Sequence, residues 1–133
     1  MISVDLARRL AHEAGVLWTP AAGDRFVIDA ELLTGDVFWV SDLTIEPQHF
    51  ADQTVLGFNG TTEWALDSVG LDQALWLPRE DQLRELLGDR LESVHREPGG
   101  WTVRYAGSDG TRHTVTDGDL ENAYARALIS LTG

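Results

Sequence analysis

A chain of 133 residues and 14.7 kDa has enough length for one self-sufficient hydrophobic core, and 43% apolar residues set it apart from disordered chains despite a net charge of −12. All ten basic residues are arginine, so the lysine of a phosphate-binding loop and the amine of Schiff-base or pyridoxal chemistry are both missing. There is no cysteine, which excludes disulfides, thiol nucleophiles, iron–sulfur clusters and thiolate zinc sites.

In chain order, SVDLARRLAHEAG is expected to open the fold as a short helix. Ser3 is suited to the N-cap, Leu6, Leu10 and Ala14 recur at helical spacing, and Gly15 is placed to stop it. Pro20 and Gly23 then break regular structure before two β-rich runs, RFVID and DVFWVSDL. In the second run Val37, Trp39 and Ser41 alternate with Phe38, Val40 and Asp42, so both faces are partly apolar and the strand is expected to be central, covered on both sides. In VLGFNGTTEWALDS, Asn59-Gly60 is the pair that best accepts the two positive φ angles of a type I′ hairpin. That turn would set Phe58 opposite Thr61, Leu56 opposite Glu63 and Val55 opposite Trp64.

A second helix is expected after LDSVGLDQALWLP. Pro78 fits its first position, Glu80 and Asp81 its first turn, Leu83, Leu86 and Leu87 its apolar stripe, and Gly88 its end. Three strand-like runs follow, LESVHRE, GWTVRYA and TRHTVT. Between the last two, Ser108-Asp109-Gly110 suits a three-residue loop, a type I turn followed by Gly110 in the left-handed position. The loop pairs Gly107 with Thr111 and puts Trp101, Val103 and Tyr105 on the face of His113 and Val115. The chain closes with a helix capped by Asp117, its face formed by Leu120, Ala123, Tyr124, Ala127, Leu128 and Leu131. Ile129 falls outside that stripe and is a candidate contact for a second copy. The expectation is a single compact α+β domain over residues 1–133, an antiparallel β-sheet with helices packed on it, in the order α-β-β-β-β-α-β-β-β-α.

No catalytic, metal-binding or cofactor-binding residues stand out. His12, His49, His95 and His113 fall in neither H-x-x-x-H nor H-x-x-E-H spacing, no EF-hand loop occurs, and G-x-S-x-G is absent. Asp36 and Asp42 share strand parity but would lie about 20 Å apart on an extended chain. The arginines are spread from Arg8 to Arg126 rather than gathered in a basic patch, so an acidic chain of this kind is not expected to bind nucleic acid. Nothing resembles a secretory leader, and no apolar run approaches the ~18 residues of a membrane span. The protein is therefore expected to be cytoplasmic.

Five tryptophans are many for this length, and tryptophan is favoured both in cores and at the centres of interfaces. Trp18, Trp39, Trp64 and Trp76 are the candidates for an interaction surface or a pocket.

The stretches GVLWTPAAGDRFVI and GFNGTTEWALDSVGLDQALWLPREDQLRELLG, continued by GWTVRY and ENAYARALISL, resemble a small uncharacterised actinobacterial protein family, some members of which are described as pilus-assembly proteins of the CpaE type. Proteins of that type are similar to P-loop ATPases, and this chain departs from them in having neither G-x-x-x-x-G-K-[ST] nor a lysine. The resemblance transfers no site. The sequence points to a non-enzymatic protein-interaction or regulatory module with an unknown protein partner or a second copy of itself. Its order of elements is similar to that of chaperones and toxin-immunity proteins. The alternative is a small-molecule-binding protein or hydrolase with a Trp-lined pocket.

Overall fold

The structure, a computed structural model, describes residues 1–28, 37–40, 45–49, 54–58, 68–70 and 73–132. The described chain is α+β, with helices α1 (Val4–His12), α2 (Glu80–Leu87) and α3 (Leu120–Ser130). Six strands lie between the first two helices, β1 (Arg25–Ile28), β2 (Val37–Trp39), β3 (Ile45–His49), β4 (Thr54–Phe58), β5 (Ser68–Gly70) and β6 (Ala74–Leu77). Three more, β7 (Leu91–Glu97), β8 (Gly100–Ala106) and β9 (Arg112–Asp117), lie between the last two. Four strands were expected here; β3, β5 and β6 are additional to the anticipated runs, and the strand expected after Asn59-Gly60 lies outside the described residues. All strands pair antiparallel, in three sheets of order β2-β1-β6, β3-β4-β5 and β7-β8-β9. Contacts group the chain into two compact units, one of residues 1–17 with 78–133 and one of residues 18–77. Among the described residues no helix is long and apolar enough to cross a membrane.

In the first unit the turn chemistry holds. Gly107 donates its N–H to Thr111 O at 2.7 Å, Gly110 donates to Gly107 O at 3.0 Å, and Gly110 has φ +84°. Tyr105 lies opposite His113 and Val103 opposite Val115, as the sequence implied. Pro98-Gly99 makes a second tight hairpin, with Gly99 at φ +90° and Glu97 opposite Gly100. α3 packs on this sheet through Tyr105, whose hydroxyl lies 2.6 Å from Ser130 Oγ. Val103, Tyr105, Ala123, Tyr124, Ala127 and Leu128 are buried.

Two expectations for α3 change. Its N-cap is Asp119, whose Oδ1 accepts from Asn122 N at 3.0 Å. Asp117 instead accepts from Asp119 N at 2.9 Å, bracing the residue that caps. Ile129 is buried, only 9% exposed, so it is not a free contact for a second copy. The residues before α1 account for part of this crowding around α3. Ile2 is buried and donates its N–H to Glu121 Oε1, and Ser3 N donates to Asn122 Oδ1 at 2.8 Å. Ser3 also caps α1, as expected, accepting from Leu6 N. α2 starts at Glu80 rather than Pro78, with Gln82 Oε1 accepting from Arg79 N at 2.9 Å. Leu83 and Leu87 are buried, but Leu86 is 43% exposed.

Tyr124 links α3 to α2. Burial raises its hydroxyl pKa, and a hydrogen bond to the Glu80 carboxylate adds to the rise, so that it is pushed up to about 12. Arg84 lies 3.2 Å from the same carboxylate. An unfolded tyrosine ionises near 10. The bound proton therefore contributes stability that is complete below about pH 10 and is lost as the pH rises through about 12, a change on the order of 2 kcal/mol. Urea unfolding at stepped alkaline pH should show this loss, and Tyr124→Phe should flatten it.

In the second unit β1 is the central strand of its sheet and is buried on both faces through Phe26, Val27 and Ile28. β2 was expected in that position, but among the described residues it is an edge strand paired only to β1. The Asn59-Gly60 turn and Trp64 lie outside the described residues. Among the described residues β4 pairs with β5, with Val55 opposite Gly70, Leu56 opposite Val69 and Gly57 opposite Ser68. β3 occupies the other side of β4 across the same residues.

Candidate functional site

Four aromatic rings meet on one face of the β2-β1-β6 sheet. Phe26 on β1 lies opposite Phe38 on β2 and Trp76 on β6, and because directly opposite residues share a face, the three rings form a row. Phe26 and Phe38 stack with centroids 5.6 Å apart. Trp18, from the loop before β1, covers the row. Its ring is 5.6 Å from Phe26 and stacks on Trp76 at 6.4 Å with the planes 5° apart.

A carboxylate that the sequence reading did not single out holds Trp18 in place. Asp24 is 3% exposed, and its Oδ2 accepts from Trp18 Nε1 at 2.9 Å and from Ala21 N at 3.1 Å. Its backbone carbonyl accepts from Val40 N at 2.8 Å, while Gly23 N donates to Val40 O at 2.7 Å. The signal lies in WTPAAGD, where Pro and Gly turn the chain back so that an aspartate six residues on can meet the indole. By accepting two hydrogen bonds at Oδ2, Asp24 anchors Trp18 and the loop that carries it.

The four candidate tryptophans therefore separate. Trp18 and Trp76 belong to the packed row, and Trp64 lies outside the described residues. Trp39 points to the other face, opposite Arg25, and is 55% exposed. The Trp76 indole N–H is buried and has no hydrogen-bond partner among the described residues, a loss that costs about 1–3 kcal/mol. Among the described residues no group of three or more His, Asp or Glu is arranged to hold a metal ion.

Among the described residues, Trp39 lies exposed on the outer strand β2, with the Phe26–Phe38 stack on the opposite face. Comparison with known protein families, curated proteins and solved structures found no significant match.

Proposed function

We propose that the protein is a non-enzymatic, cytoplasmic protein-interaction module and that Trp39 is its principal contact residue. The observation that carries this reading is a large aromatic side chain left 55% exposed on β2, the outer strand among the described residues, while its neighbours Phe26 and Phe38 pack on the opposite face. Tryptophan is the residue type most enriched among side chains that dominate binding energy, because one ring buries much area at little entropic cost.

Trp39→Ala is expected to change folding stability by no more than about 0.5 kcal/mol, as for other exposed positions. It should also abolish the capture of specific partners when tagged wild-type and variant proteins are compared in the native host. If both proteins capture the same partners at the same yield, Trp39 is not the contact.

A second reading, a small-molecule site, is favoured by the unpartnered Trp76 indole N–H. A ligand carrying a hydrogen-bond acceptor would satisfy it. Ligand binding that is unaffected by Trp39→Ala but shifts the Trp76 indole N–H resonance would select this reading over the first.

A further inference from the structure

We infer that β9 is a self-association edge, pairing antiparallel with β9 of a second copy of this chain. The inference concerns a different strand from Trp39 and does not rest on the interaction reading above.

β9 is the outer strand of the β7-β8-β9 sheet. The hydrogen bond from Gly107 N to Thr111 O fixes which of its residues bond to β8. Bonded and non-bonded pairs alternate along an antiparallel ladder, so His113, Val115 and Asp117 direct their backbone groups inward to β8. Arg112, Thr114 and Thr116 direct theirs outward. One bond confirms this parity, as the outward carbonyl of Thr116 accepts from Arg126 Nη1 at 3.2 Å. A carbonyl has two lone pairs, so this leaves room for a second donor. No outward partner of Thr114 occurs among the described residues, and Arg112, His113, Thr114 and Thr116 are exposed.

The opposite edge is protected. β7 carries an irregularity between Leu91 and Ser93 and is followed directly by Pro98, both of which discourage strand addition. β9 has neither, and its register against β8 is unbroken over its whole length.

Outward residues must face outward residues, which limits how two β9 strands can pair. Centring the two-fold axis on Val115 places Val115 against Val115 of the second copy, Thr114 against Thr116, and His113 against Asp117. Every one of these is a favourable cross-strand combination, apolar with apolar, hydroxyl with hydroxyl and histidine with carboxylate. Centring it on Thr114 sets His113 against Val115, and centring it on His113 sets histidine against histidine. The sequence of β9 therefore complements itself in one register. The shared edge is short and each chain carries a net charge of −12, so the dimer is weak and tightens as salt screens the repulsion.

Sedimentation equilibrium of the full chain, from tens to hundreds of micromolar at low and moderate salt, should show a dimer that strengthens with ionic strength. Thr114→Pro removes an outward N–H that the fold does not use, a position where an edge strand tolerates proline. It should weaken association at least tenfold while circular dichroism stays native. Trp39→Ala should leave association unchanged. Because the chain has no cysteine, Val115→Cys gives an independent check. Val115 meets its counterpart as a non-bonded pair, with Cα atoms within disulfide reach, so oxidation should yield a covalent dimer, whereas Thr114→Cys should not. A monomer mass at every concentration overturns the inference, as does a dimer that survives Thr114→Pro. Should Thr114→Pro fail to fold, the Val115→Cys crosslink decides, and its absence overturns the inference.

Discussion

Phe26→Ala is expected to destabilise the protein by about 3–5 kcal/mol, the range for removing a buried phenylalanine that its surroundings cannot replace. Phe26 is fully buried. It stands between Phe38 and Trp76 on the neighbouring strands, under the ring of Trp18. These rings are held from different directions, Trp18 by Asp24 and the others by the β-ladder, so they cannot all move inward to fill the cavity. The near-ultraviolet signal of the Trp18–Trp76 stack should weaken along with stability. A loss under about 1 kcal/mol in urea unfolding would mean that the aromatic row is loosely packed.

Gly100→Val is expected to cost about 3 kcal/mol or more, at the upper end for forcing extra atoms into a packed position. A Cβ at Gly100 would lie 2.5 Å from the carbonyl oxygen of Asp117, 3.0 Å from its carbon and 3.1 Å from the Cα of Gly118. All three are backbone atoms, so no side chain can swing aside and β9 itself must shift. Asp117 then carries the disturbance onward, because it braces Asp119 at the start of α3 and pairs with Arg126. Gly110 provides the comparison. It has φ +84° but open space where a Cβ would go, so Gly110→Ala should cost only about 1–2 kcal/mol, the strain of the left-handed conformation alone. Equal melting points for the two variants would contradict this geometry.

The first unit was more legible in the sequence than the second because its signals are local. The loop Ser108-Asp109-Gly110 fixes a register, the apolar alternation of Trp101, Val103 and Tyr105 agrees with it, and the observed pairing is the one those signals require. Where the sequence misled, the deciding interaction came from far along the chain. Apolar residues on both faces of residues 37–42 suggested a central strand. Sheet order gave that place to β1, and apolar alternation alone does not distinguish a covered face from an exposed one. Ile129 fell outside the helical stripe but is buried, since neighbours can cover a helix more broadly than one stripe records.

The tryptophans show the same division. Their number marked them for attention, but their spacing could not show that Trp18 and Trp76 stack while Trp39 stays at the surface. Asp24 was passed over although WTPAAGD carries its signal, and the outer place of β9 among the described strands left no motif. The first depends on a loop that folds back on its own tryptophan, and the second on which described strands neighbour β9.

Site-specific photocrosslinking tests the interaction reading most directly. A photoreactive phenylalanine placed at position 39 and activated in the native host should give one dominant protein adduct, while the same group at exposed Leu86 should give none. Position 39 producing no adduct, or the same diffuse set as position 86, would contradict the assignment of Trp39 as the contact residue.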